Sequence, residues 1–124
     1  MAKILVVDDD EGIRDLLHLT LVDAGHVVSV VGDGVAGLSE FRKSTPDLLI
    51  ADLVMPGGEG ITLINAVREE APRCLILAIS GSLHADVFLP SAIRRGADLA
   101  LGKPVRPDAL VQQVAELLRR RGLS

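Results

Sequence analysis

Leu48-Leu49-Ile50-Ala51-Asp52-Leu53-Val54-Met55-Pro56-Gly57 is the stretch whose reading decides the fold. Four apolar residues run straight into one aspartate, and Met-Pro-Gly breaks the chain after it. A continuous apolar run bounded by turn residues reads as a strand buried on both faces. Asp52 then stands at the carboxyl end of a central strand, the edge of an open parallel sheet where ligands bind. A carboxylate there is costly unless a cation or hydrogen bonds meet it. The rest of the chain is therefore expected to supply those partners.

Working outward, Lys3 to Val7 reads as a second buried strand and ends in Asp8-Asp9-Asp10-Glu11. An acid at a helix start satisfies free N–H groups and complements the dipole, which explains one or two of these acids. The helix that follows places Ile13, Leu16, Leu17 and Leu21 on one stripe and stops near Gly25. Val27 to Val31 is a short strand, and Val35, Leu38 and Phe41 space a helix that ends before Pro46. Beyond Asp52, Ile61, Ile64 and Val67 mark a helix ending before Pro72, and Cys74 to Ile79 is a strand running into Ser80-Gly81-Ser82. Val87, Phe88, Ala92 and Ile93 suggest a helix ending at Gly96, with Pro90 expected in its first turn unless the helix starts late. Asp98 to Leu101 is a fifth strand, followed by Gly102-Lys103-Pro104. Pro107 opens a last helix with Leu110, Val114, Leu117 and Leu118 buried and Arg119-Arg120-Arg121 at its end.

Strand and helix thus alternate throughout, which implies an α/β fold in three layers, a parallel five-stranded sheet with helices on both faces. Right-handed crossovers leave few topologies, and the expected strand order is 2-1-3-4-5. Residues at the strand ends then converge: Asp8 and Asp9 from the first strand, Asp52 from the third, Ser80 with Gly81 from the fourth, and Lys103 from the fifth. Close carboxylates do not all stay ionised without a cation, and oxygen-only ligands favour a hard ion such as Mg²⁺. Ser80 and Lys103 are surplus to metal binding. A hydroxyl and an ammonium beside a divalent cation suit the oxygens of a phosphoryl group.

These residues resemble the receiver domain of two-component response regulators, the flavodoxin-like (βα)5 fold of the chemotaxis regulator. The resemblance rests on Asp8-Asp9, Asp52 with Met55-Pro56-Gly57, Ser80-Gly81 and Lys103-Pro104, in that order over the whole chain. It implies that Asp52 is the phosphoacceptor and that Asp9 is a direct metal ligand. Asp8 would hold a metal-bound water, and the backbone carbonyl of Val54 would complete the Mg²⁺ ligands. Ser80 matches the switch hydroxyl. Lys103 matches the lysine that pairs with the phosphoryl group, with a cis bond to Pro104. The implied donor is a phosphohistidine on a sensor histidine kinase or histidine phosphotransfer protein. The implied output is a changed face of the fourth helix, fifth strand and fifth helix. The chain departs from the pattern at Ala100, where the family commonly has Tyr or Phe, and at Val105, where Phe often follows Lys-Pro. A methyl group cannot act as the swinging ring, so the signal passes through the loop after the fourth strand, or Phe88 substitutes. Val54 and Ser82 hold the two positions that tune phosphoryl lifetime in the family.

The chain has 124 residues, enough for one core, so residues 1–124 read as a single receiver domain without an output domain. With 48% hydrophobic and 2% aromatic residues the core must be aliphatic. A net charge of −4 argues against nucleic acid as the main partner, and no run is long enough to cross a membrane. One cysteine, Cys74, excludes an internal disulfide, reads as a core side chain and fits the cytoplasm. His18, His26 and His84 lack metal spacing and read as surface or packing residues. Either a monomer or a phosphorylation-linked dimer fits. The expected catalysis is confined to the chain's own phosphorylation and dephosphorylation. Two rivals stand beside this reading. One is a small phosphatase of the haloacid dehalogenase type, for which Asp8-x-Asp10 would be the acid pair although no cap domain follows. The other is a receiver-like interaction domain that works unphosphorylated, which Ala100 keeps open.

Overall fold

The computed structural model describes residues 1–81 and 85–122, with residues 85–88 described as backbone alone. The expectations placed on Ser82, His84 and the Phe88 ring therefore lie outside the described residues. Five strands alternate with five helices: β1 (Lys3–Val7), α1 (Glu11–Asp23), β2 (Val27–Val31), α2 (Gly34–Lys43), β3 (Leu48–Asp52), α3 (Glu59–Glu70), β4 (Leu75–Ser80), α4 (Ala85–Arg94), β5 (Leu99–Gly102) and α5 (Pro107–Arg120). A 3-10 turn at Pro56–Gly58 joins β3 to α3. The sheet is parallel with order β2-β1-β3-β4-β5, as the alternation implies.

Alternation along the central strands divides the core into two layers. Leu49 and Ala51 of β3 join Val7, Phe41, Leu63, Ile64 and Val67 beneath α2, α3 and α4. Leu48 and Ile50 join Ile4, Leu17, Leu21, Leu110 and Val114 beneath α1 and α5. Every residue of β3 and β4 is buried, which is why both read as unbroken apolar runs. Each such Leu or Ile contributes about 1.5–3 kcal/mol by leaving water. Cys74 belongs to the first layer, and burial pushes its thiol up to about 11.

Helix ends follow the local chemistry. Asp10 caps α1, its Oδ1 accepting from Ile13 N, so the last aspartate of the run is the capping one. Asp33 caps α2 through Ala36 N. His26 is a packing residue, its Nδ1 accepting from Ala2 N at 3.1 Å.

Three expectations need correction. Leu16 of α1 and Val35 of α2 do not face the core; they are 39% and 78% exposed. The fourth and fifth strands are each shifted by one residue, to Leu75–Ser80 and Leu99–Gly102. Pro90 is not in the first turn of α4 but in its interior. With no N–H to give, it leaves the carbonyl four residues back without a helical partner. Among the described residues, no helix is long and apolar enough to cross a membrane.

Candidate functional site

Topology gathers the site at the carboxyl edge of the sheet. Among the described residues the buried polar or charged ones are Asp8, Asp52 and Ser80, and all three stand at strand ends on this edge. One carboxylate oxygen from each of Asp8, Asp9 and Asp52 lies within 4.8 Å of the others. Asp9 is exposed at the mouth, and Asp9, Asp10, Asp52, Val54, Gly81 and Lys103 line the cleft.

Asp52 is held by a short local bond: its Oδ1 accepts from Val54 N at 2.9 Å. Its other oxygen, Oδ2, accepts from Lys103 Nζ at 3.2 Å. The same ammonium lies 3.0 Å from Asp8 Oδ2. Asp8 Oδ2 is buried with Lys103 as its charge partner, and no other group among the described residues bonds it. A buried carboxylate oxygen met only by one ammonium, beside two more carboxylates, is a donor set that fits a hard divalent cation such as Mg²⁺. The acidic pocket is thus compatible with Mg²⁺, with Asp8, Asp9 and Asp52 as the side chains that would hold it.

Electrostatics follow from burial and crowding. Burial pushes the Asp52 carboxyl above its usual range, and the Asp8 charge adds to this, against the opposing pull of Val54 N–H and Lys103. Burial alone would lower the Lys103 ammonium, but Asp8 and Asp52 together hold it above the usual lysine range. A carboxyl whose folded pKa is raised stabilises the fold fully below the unfolded value and loses that contribution as pH rises through the folded value. Ionised Asp52 therefore costs stability at neutral pH. Asp52→Asn should melt at a higher temperature than the wild type at pH 7 in EDTA. The gap should narrow as pH falls through the raised folded value and be smallest below about 4, the ordinary aspartate range. Thermal unfolding at several pH values checks this; a lower melting temperature for Asp52→Asn at pH 7 would contradict it.

The remaining expected residues fall in place with different degrees of contact. Ser80 ends β4 with its side chain fully buried, paired across the sheet with Gly102. Gly81 gives Lys103 its path, since a Cβ there would lie 2.8 Å from Lys103 Cδ. The Lys103–Pro104 peptide is cis, as expected. Ala100 is half-buried against the layer under α2, α3 and α4, with only a methyl group to offer. Val54 is 44% exposed at the cleft.

Two residues that the sequence reading does not single out also belong to this edge. Arg14 Nη1 donates to the carbonyl of Asp8 at 2.7 Å. Gly60 lets α3 approach the carbonyl of Asp52, where a Cβ would sit at 2.1 Å. The available signals were an arginine one turn into the helix after the acid run and a glycine in the first turn after Gly57-Gly58.

Comparison with known proteins agrees with this architecture. The family model described as "Response regulator receiver domain" matches residues 4–115. The DNA-binding response regulator MtrA of Mycolicibacterium paratuberculosis is 35% identical over 118 residues, covering 95% of this chain and 52% of that protein. The chain thus spans about half the length of the curated relatives it matches. Among solved structures, the chemotaxis protein CheY4 of Vibrio cholerae superposes with a TM-score of 0.84 at 32% identity, covering 95% of this chain and 99% of that one. The receiver domain of NtrX from Brucella abortus gives a TM-score of 0.83 at 34% identity, covering 92% and 95%. With its sheet order, its acidic edge and a family match over nearly its whole length, the chain belongs to the receiver domains of two-component response regulators.

Proposed function

We propose that this chain is the phosphoacceptor module of a two-component phosphorelay, with Asp52 the residue phosphorylated. The observation that carries this reading is the placement of Asp52: 3% exposed at the end of a central strand, a carboxylate oxygen within 4.8 Å of one from each of Asp8 and Asp9, with Lys103 Nζ at 3.2 Å. The donor would be a phosphohistidine on a histidine kinase or histidine phosphotransfer protein. A carboxylate oxygen of Asp52 attacks phosphorus and the P–N bond breaks. The electron pair leaves on the imidazole nitrogen, and an aspartyl phosphate remains. Mg²⁺ held by Asp8, Asp9, Asp52 and the Val54 carbonyl would supply charge neutralisation at the phosphoryl oxygens. Val54 N–H fixes the rotamer of the acceptor carboxylate, and burial makes that carboxylate more basic. Lys103 provides a permanent positive charge where the phosphoryl group arrives, and the Ser80 hydroxyl lies at the same edge to bond it.

The output would be a changed protein-binding face of α4, β5 and α5, with either a monomer or a phosphorylation-linked dimer as the product. Ala100 leaves no ring to swing, so α4 itself is the element to move. Its interior Pro90 weakens the helix and favours such a shift. Catalysis is confined to the chain's own phosphorylation and dephosphorylation, and the lone buried Cys74 fits a cytoplasmic setting. The phosphatase alternative has no support, because Asp10, the second acid it needs, is the cap of α1.

Intact mass after incubation with acetyl phosphate and Mg²⁺ tests the reading. One added phosphoryl group is expected on the wild type, with none on Asp52→Asn and none in EDTA. No addition to a wild type that binds Mg²⁺ would overturn it in favour of an interaction domain acting unphosphorylated.

A further inference from the structure

We propose that Arg14 is a positioning residue of the cation pocket. It holds the Asp8–Asp9 peptide and so sets the direction in which the Asp9 carboxylate enters the cleft. The inference rests on the reading that this pocket takes a divalent cation, and it concerns a residue outside the acidic set. Asp8 is fixed at three of its polar atoms. Its N–H donates to Val31 O at 3.2 Å, its Oδ1 accepts from Asp10 N at 2.9 Å, and its carbonyl accepts from Arg14 Nη1 at 2.7 Å. Its Oδ2 is buried 3.0 Å from Lys103 Nζ.

Asp9 differs. It is exposed, and no hydrogen bond among the described residues holds its side chain. What orients it is the peptide it shares with Asp8, and the carbonyl of that peptide is the atom Arg14 grips. The guanidinium reaches from α1 across to the turn after β2, where Gly32 leaves it room. A Cβ on Gly32 would lie 3.0 Å from Nη1. Arg14 is half-buried in this span, so its reach is set by packing on both sides. Outer partners that orient ligands govern metal affinity nearly as strongly as the ligands.

The sign of the effect separates positioning from simple charge. Removing a positive charge beside three carboxylates should, by Coulomb attraction alone, tighten cation binding. Loss of positioning should weaken it. Magnesium titration of the unphosphorylated full chain by isothermal calorimetry reads the difference, with unfolding in EDTA as the check on the apo fold. For Arg14→Met the dissociation constant for Mg²⁺ is expected to rise about tenfold. Arg14→Lys, which keeps the charge but replaces the planar fork with a single ammonium, should recover only part of this. Gly32→Ala keeps the arginine and crowds its guanidinium, so it should weaken binding in the same direction by less. An unchanged or tighter constant in a folded Arg14→Met would overturn the proposal. If that variant does not fold, an unchanged or tighter constant in Gly32→Ala would do so. A wild type that binds Mg²⁺ yet takes no phosphoryl group removes the proposed function and leaves the Arg14 comparison standing. A wild type that binds no Mg²⁺ removes both.

Discussion

Gly60→Ala should cost the domain about 3 kcal/mol or more and take phosphoryl acceptance with it. The reason is space rather than backbone conformation. An added Cβ would sit 2.1 Å from the carbonyl oxygen of Asp52 and 3.0 Å from Leu53 Cα. Both are backbone atoms of β3 or its immediate continuation, so no rotamer change relieves the clash. Either α3 lifts away from the sheet, exposing Leu63, Ile64 and Val67, or the end of β3 moves. The second response displaces Asp52, whose carboxylate is aligned by Val54 N and Lys103 Nζ. Gly57 and Gly58 supply the control. They have φ of 73° and 70°, with nothing within 4 Å of a Cβ. Alanine there meets only left-handed backbone strain, about 1–2 kcal/mol. Urea unfolding beside acetyl phosphate labelling compares the three. A Gly60→Ala midpoint no lower than that of Gly58→Ala would show that α3 does not need the close approach.

What the sequence makes legible is what contiguous residues determine. β3, β4 and β1 beyond Lys3 carry unbroken apolar runs because both faces are covered, and the acid or hydroxyl that ends each run stands out against it. Asp8, Asp9, Asp52, Ser80 and Lys103 could thus be brought together from the strand order alone. The exposure of Leu16 and Val35 could not. Their helical spacing continues the apolar pattern, but the core beneath α1 reaches only Leu17 and Leu21, with Ile13 packed at its side. Pro90 breaks a local rule that the surrounding packing overrides. Arg14, Gly60 and Arg68 act through backbone atoms that only the folded turns bring to them: the carbonyls of Asp8, Asp52, Pro72, Cys74 and Gly96. Arg68 in particular looks in sequence like an ordinary cation in the last turn of a helix.

That appearance is misleading, and Arg68→Met is expected to destabilise the domain by about 2–3 kcal/mol. Its guanidinium donates to the carbonyls of Pro72 at 2.6 Å, Cys74 at 2.9 Å and Gly96 at 2.7 Å, and to Asp98 Oδ2 at 3.0 Å. These acceptors lie in two loops, the one between α3 and β4 and the one between α4 and β5, so one side chain clamps both at the amino edge of the sheet. The Asp98 oxygen also accepts from Ile76 N at 2.8 Å, which ties the ion pair into β4. Gly96, at φ +116°, leaves room for the Arg68 stem, since a Cβ would lie 2.9 Å from Cγ. With Arg68 and Asp98 side chains 24% and 27% exposed, water replaces the lost bonds only in part. Methionine keeps most of the apolar stem but leaves the part-buried carbonyls of Cys74 and Gly96 without the guanidinium, and Asp98 with Ile76 N alone. Lysine should recover little, because a single ammonium cannot meet acceptors arranged around a planar fork. Arg42→Met is the contrast: Arg42 also pairs with a glutamate, Glu70, but the two side chains are 58% and 37% exposed. Such a pair contributes little, so its unfolding midpoint should scarcely move. Equal midpoints for Arg68→Met and Arg42→Met in urea would refute the clamp. Where Arg68→Met remains folded it should still accept a phosphoryl group, since the clamp lies at the edge opposite Asp52. Gly60→Ala should lose both properties together.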